Sequence, residues 1–254
     1  MTPRVLITND DGIDSPGLAT LARCSVELGW DTVVAAPAEE SSGTSAGITA
    51  AARDRQVVVR QSELAGLSDV ETYAVEASPG LIALIACHDG FGDRPTLLLS
   101  GVNRGANVGR AVLHSGTVGA ALTAGINGVP AVAVSLDVGL AEDVELRWDN
   151  ASRILAGLLP AVARLAGSPV LNVNVPNTEQ VGPLRWARLA TYGQAQTKIS
   201  RADPGTIEVT TIEVEGELEE GTDAALLAAG HATITPLYSV TEDDDLIGSG
   251  LLAD

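Results

Sequence analysis

The chain has 254 residues and a formal net charge of -18, with 33 acidic residues against 15 basic ones. A chain of this length folds as one large α/β domain or as a domain with an appendage, and it buries roughly three quarters of its extended-chain surface without disulfide or metal staples. A surface this acidic repels polyanions, which argues against a nucleic-acid duplex as partner, and a single lysine, Lys198, argues against a P-loop or a Schiff base.

The two cysteines, Cys24 and Cys87, both fall in expected helices, so a reducing cytoplasm is the simpler location. The N-terminus enters a strand almost at once and lacks the features of a secretory signal. No apolar run approaches the length of a bilayer span, so no membrane contact is expected.

The first element is the apolar run Val5-Leu6-Ile7, whose length suits a buried strand, and it stops abruptly at Asn9, Asp10, Asp11 and Gly12. Leu18, Leu21, Ala22 and Leu28 then recur at helical spacing. Adjacent carboxylates at a strand end repel each other, and inside a cleft they require a proton or a cation between them. The alternative is that one caps the helix and the other is solvated. Asp31 to Pro37 reads as a second buried strand, followed by the small polar loop Glu39 to Ser45. Short strands are expected within Gln56–Arg60 and Glu71–Ala77. Ser78-Pro79 sets an N-cap and a first-turn proline for a helix through Cys87, closed by His88.

Thr96 to Ser100 is another apolar run that ends in polar and glycine residues, here Gly101 to Gly109 with Asn103 and Asn107. His114-Ser115-Gly116-Thr117 opens a small-residue helix, with Ser115 and Thr117 either capping it or facing a phosphate. A strand at Ala131–Leu136 precedes a helix from Asn150 to Gly167, with Asn150 as cap and a kink or break at Pro160. Val170 to Val175 alternates apolar and polar residues, which predicts a strand nearer the sheet edge. From Arg185 the pattern changes to hairpin-like runs, including Ile207 to Val214, then a short helix at Asp223–Ala229 and a strand at His231–Leu237. Acids gather at Glu213–Glu220 and Glu242–Asp245, and no Lys or Arg follows Arg201.

Strands alternating with helices through residue 175 predict an α/β fold, a doubly wound and mostly parallel sheet covered on both faces. Ligands bind such sheets outside the carboxyl ends of the strands, where Asp10 and Asp11, Ser42 and Asn103 all fall. Carboxylate, hydroxyl and amide oxygens form a hard-ligand set suited to Mg²⁺, Mn²⁺ or Ca²⁺. A cation there holds a phosphoryl oxygen and acidifies a bound water, two requirements of phosphomonoester hydrolysis.

Five stretches occur in order: T-N-D-D-G-I-D-S-P-G at 8–17, A-P-A-E-E-S-S-G-T-S at 36–45, S-G-V-N-R-G-A-N-V-G at 100–109, H-S-G-T-V-G-A-A at 114–121 and L-N-V-N-V-P at 171–176. Together they resemble the motifs of the survival protein E (SurE) family of divalent-metal-dependent 5'/3'-nucleotidases and acid phosphatases, and G-H-A-T-I-T-P-L at 230–237 resembles its closing strand. The resemblance implies that Asp10, Asp11, Ser42 and Asn103 hold one Mg²⁺ or Mn²⁺ per subunit, with Asp10 and Asp11 the catalytic pair. It implies that Asn9, Asn107, Ser115, Gly116 and Thr117 line the phosphate site. It also implies a Rossmann-like catalytic domain over 1–184, a β-hairpin-rich extension over 185–254 that is exchanged between subunits, and a homodimer or homotetramer.

The chain departs from the family pattern at Ala38, Glu39 and Glu40, where basic and amide residues are common, and at His114, where tyrosine is common. The leading reading is a cytoplasmic phosphomonoesterase acting on nucleoside 5'- or 3'-monophosphates. Against it stands a module that binds a nucleotide or metal in the same crevice without hydrolysis. A receiver-like acidic pocket is a third reading, and it lacks a matching lysine.

Overall fold

The computed structural model describes residues 2–50, 56–139, 144–191, 195–203, 206–213 and 217–241. The acids at Glu242–Asp245 and Val214 lie outside the described residues.

The first strand, β1 (Arg4–Thr8), lies between β2 (Asp31–Pro37) and β5 (Leu97–Arg104), parallel to both. Outward from β2 come β4 (Glu71–Val75), parallel, and the edge strand β3 (Val59–Gln61), antiparallel. Outward from β5 come β6 (Ala131–Asp137) and β7 (Val170–Pro176), both parallel. Then β11 (His231–Leu237) pairs antiparallel with β7, and β8 (Gly182–Trp186) closes the edge. Among the described residues this is one nine-stranded, mostly parallel sheet; β9 (Ala195–Asp203) and β10 (Thr206–Glu213) form a separate antiparallel hairpin.

Alternation along β1 shows how both faces are covered. Val5 and Ile7 enter one core with Leu18 and Leu21 of α1 (Pro16–Glu27) and Leu155 and Leu159 of α4 (Trp148–Val162). Leu6 enters the other, with Ile82 and Ala83 of α2 (Pro79–Cys87) and Val118, Ala120 and Ala121 of α3 (Gly116–Ile126). The fifth helix, α5 (Asp223–Ala228), packs on β11. The order of strands reverses at β1 and β5, since β1 leads to β2 on one side while β5 leads to β6 on the other. Such a reversal opens a crevice at the carboxyl ends of those two strands.

Three local expectations are corrected. Val170–Val175 does not lie near the edge: every residue of β7 is buried, because Asn172 and Asn174 have buried hydrogen-bond partners and need no solvent. Asn150 is not the N-cap of α4, which starts at Trp148; its amide donates to the carbonyls of Pro176 and Thr178. Pro160 does not break α4, which continues to Val162 with the proline in its last turn. Ser78 does precede α2, yet its hydroxyl contacts the loop before it, at the Gly47 carbonyl and the Thr49 N–H, and makes no side-chain cap.

Candidate functional site

Two backbone bonds draw the loops after β1 and β2 together: the Ile13 N–H donates to the Pro37 carbonyl at 2.8 Å, and the Ser41 N–H to the Asp10 carbonyl at 2.7 Å. Asn9 is fully buried, and its amide closes the first loop on the Gly12 carbonyl at 2.9 Å. Gly12 holds a φ of +95°, and a Cβ there would lie 3.3 Å from the Glu40 backbone nitrogen, so glycine is required for the two loops to meet. A third bond joins β5, where the Arg104 N–H donates to Asp11 Oδ2 at 3.2 Å. The Asn103 amide nitrogen donates to the Gly105 carbonyl at 2.8 Å, which leaves the amide oxygen as the end not used by its own loop.

These contacts surround a cleft of about 420 Å³, lined by Asp10, Asp11, Glu40, Ser42, Asn103, Arg104, Asn107, His114 and Ser115 among others. Six of the nine sequence-derived candidates therefore share one cavity. The other three, Asn9, Gly116 and Thr117, lie behind it. The fully buried Thr117 hydroxyl donates to Asp10 Oδ1, and the backbone N–H groups of Gly116 and Thr117 also favour that carboxylate. The Thr117 hydroxyl thus supports Asp10 from behind. Ser115 caps α3, accepting from the Val118 N–H at 3.1 Å. A Cβ on Gly116 would lie 2.8 Å from Asp10 Oδ2, and one on Gly119 would lie 2.2 Å from the Ser45 carbonyl oxygen. The small residues of α3 thus let the helix start rest directly against the carboxylate and the second loop.

Burial pushes the Asp10 carboxyl up, against the opposing pull of Thr117 and the α3 N–H groups. Asp11 is raised to about 6, first by burial and then by the Asp10 charge, with Glu40 adding to the effect. Because the folded pKa exceeds the unfolded value, protonated Asp11 contributes stability that is complete below about pH 4 and lost as pH rises through about 6. Metal-free protein should therefore gain stability on Asp11→Asn at pH 7 relative to pH 4, on the order of 1–2 kcal/mol after discounting for partial exposure. Chemical denaturation of both proteins at the two pH values in chelator checks this, and an equal difference at both would contradict it.

Sequence reasoning missed the buried support behind Asn107. Its backbone N–H donates to Asn174 Oδ1 at 2.8 Å, its carbonyl accepts from the Asn172 and Asn174 amides at 2.7 and 2.9 Å, and its own amide donates to Ser135 Oγ at 2.8 Å. The N-V-N alternation in β7 was the visible signal, although it read as an edge. Asp223, also fully buried, accepts from the Gly109 N–H at 2.8 Å and the Ala190 N–H at 2.9 Å.

The donor set fits a hard divalent cation. Two adjacent carboxylates, one of them 5% exposed, sit with a hydroxyl and an amide oxygen and with no thiol on the cleft wall. Among the described residues no cluster of three or more His, Cys, Asp or Glu is arranged to hold a metal, so such an ion would rely on neutral oxygens and water beside the two aspartates.

A model of the family described as "Survival protein SurE" matches residues 5–196, and a relative from Methanopyrus kandleri is 38% identical over 255 residues. The chain belongs to the SurE family. The alignment with that relative, which is named "5'-nucleotidase SurE", covers 95% of this chain and 94% of the relative. A second relative of the same name, from Carboxydothermus hydrogenoformans, is 34% identical over 92% of this chain and 90% of its own. The crystal structure of the SurE protein from Aquifex aeolicus shares the fold, with a TM-score of 0.81, 24% identity and 98% of each chain covered. The SurE match takes in all nine candidate residues and stops within the hairpin, so β11 and Asp223 lie beyond it. Among the described residues of this SurE chain, no helix is long and apolar enough to cross a membrane.

Proposed function

We propose that the chain is a divalent-metal-dependent phosphomonoesterase that hydrolyses nucleoside 5'- or 3'-monophosphates to nucleoside and phosphate. The observation that carries this reading is the meeting of Asp10, Asp11, Ser42 and Asn103 in one cleft at the β1/β5 reversal. The naming of the relatives as 5'-nucleotidases supports the substrate class. The four residues would hold one Mg²⁺ or Mn²⁺, which when bound polarises a phosphoryl oxygen and makes a water nucleophilic near neutral pH. Thr117 and the start of α3 fix Asp10 in place. Asn107 has a second amide N–H beyond the one given to Ser135, and it binds a phosphate oxygen together with the Ser115 hydroxyl. Asp11, the more exposed of the pair, takes the proton of the attacking water, and His114 on the same wall protonates the leaving alkoxide.

The same reading includes a homodimer or homotetramer formed through residues 185–254. The hairpin outside the main sheet, and Trp186, 69% exposed on the edge strand β8, support a subunit contact there. A cytoplasmic location is supported by two cysteines that are both buried and free.

One observation favours the rival reading of binding without turnover: Glu40 lines the cleft, and the Ser42 hydroxyl donates to it at 2.7 Å. Phosphate release from nucleoside monophosphates and an aryl phosphate, with Mg²⁺, with Mn²⁺ and with chelator, decides between them. Metal-dependent release is expected. Nucleotide binding without release in any condition would establish the rival.

A further inference from the structure

Beside the phosphate cleft lies a second cavity of about 600 Å³, at the carboxyl ends of β2 and β4, lined by residues 37–41 and by Thr49, Arg60, Glu76 and Ser78 among others. Among the described residues the two cavities share one lining residue, Glu40. Its position is fixed on both sides, because the Ala38 N–H donates to the Val75 carbonyl at 2.8 Å and the Ser41 N–H to the Asp10 carbonyl at 2.7 Å. Its carboxylate is held by the Ser42 hydroxyl at 2.7 Å. Among the other lining residues, Arg60 is already paired with Glu76 at 2.5 Å, and Glu39 adds another acid beside Glu40.

Resting on the phosphomonoesterase reading, we propose that Glu40 is a specificity-determining residue: the acidic partition between the phosphate cleft and the cavity that takes the rest of the substrate. A monoester whose leaving group is uncharged passes beside Glu40 at little cost. A leaving group with a second phosphate sets that charge against the exposed Glu40 carboxylate, and the two like charges repel to an extent that salt screens. The sequence departure at this loop thus acts by exclusion, narrowing the substrates to esters with one anionic group.

The test compares kcat/KM for adenosine 5'-monophosphate and adenosine 3',5'-bisphosphate in wild type, Glu40→Gln and Ser42→Ala. Removing the charge should raise the bisphosphate-to-monophosphate ratio about fivefold or more, with a smaller gain at high salt. Ser42→Ala frees the carboxylate but keeps its charge, so its ratio should stay within about twofold of wild type whatever its absolute rate. An unchanged ratio in Glu40→Gln would overturn the proposal, as would an equal rise in Ser42→Ala. If wild type releases phosphate from neither compound, the phosphatase reading fails separately. The same ratio, taken from equilibrium dialysis of the unhydrolysed nucleotides, then judges Glu40 by the same two criteria.

Discussion

Asp10→Asn is expected to leave a folded protein whose metal-dependent phosphate release is lower by about a thousandfold or more. The substitution keeps the side-chain shape and an oxygen able to accept from the Thr117 hydroxyl, so that one contact with α3 survives. What it removes is one of the two carboxylate charges proposed to hold the metal. A metal ion supplies several kcal/mol of transition-state charge stabilisation, and each 1.36 kcal/mol is tenfold in rate. The stability outcome separates this role from simple helix capping. Burial raises the Asp10 carboxyl, so its ionised form is a burden on the metal-free fold at pH 7. Removing that charge should leave the chelator-treated melting temperature unchanged or higher, while the stabilisation of wild type by Mn²⁺ disappears. A capping residue behaves the other way, with a lower melting temperature and an intact rate per folded molecule. Melting with and without Mn²⁺, beside phosphate release, reads both; full activity in the variant would remove Asp10 from the site.

The parts of this molecule legible in the sequence were those set by local pattern. Val5-Leu6-Ile7 and Ala131–Leu136 are strands because short apolar runs buried on both faces have few alternatives, and the reversal at β1 and β5 then brings Asp10, Asp11 and Asn103 to one crevice. Illegible parts depended on partners distant in the chain. Asn172 and Asn174 looked solvated because an alternating strand ordinarily has a wet face; here that face meets the backbone of Asn107, 65 and 67 residues away. Asn150 stood where a cap was wanted, but the chain after β7 passes close enough to take its amide instead. Thr117 was read as facing a phosphate, and what the sequence could not convey is that α3 rests against Asp10, because that approach depends on glycines whose missing side chains carry no periodic signal. Glu40 stood out as a departure, yet its place on the boundary of two cavities needed the paths of β2 and β4.

Asp223→Ala is expected to destabilise the protein by about 3–5 kcal/mol, which for a chain of this size lowers the melting temperature by roughly 6–20 °C. The side chain is fully buried and accepts from the N–H groups of Gly109, Ala190 and Ala224 at 2.8, 2.9 and 2.8 Å. It therefore fastens the start of α5, the chain after β8 and the end of the Asn103–Gly109 loop at one point. Burial raises its carboxyl despite those three donors, so truncation also relieves a desolvated charge. That relief does not cancel the loss, because alanine takes the side-chain acceptor away from the buried Gly109 and Ala190 N–H groups. The loosened segment is the one that carries Asn107 two residues before Gly109 and leads into His114. Activity per folded molecule should fall with stability, and the fall should persist at a temperature where the variant is fully folded. Asp223→Asn keeps one acceptor oxygen but turns an N–H toward a backbone N–H, so it should lie between wild type and alanine in both readouts. Thermal melts in chelator and single-temperature rates test the pair. A variant that melts within about 2 °C of wild type would show that the Asp223 contacts contribute nothing to holding the C-terminal chain against the cleft.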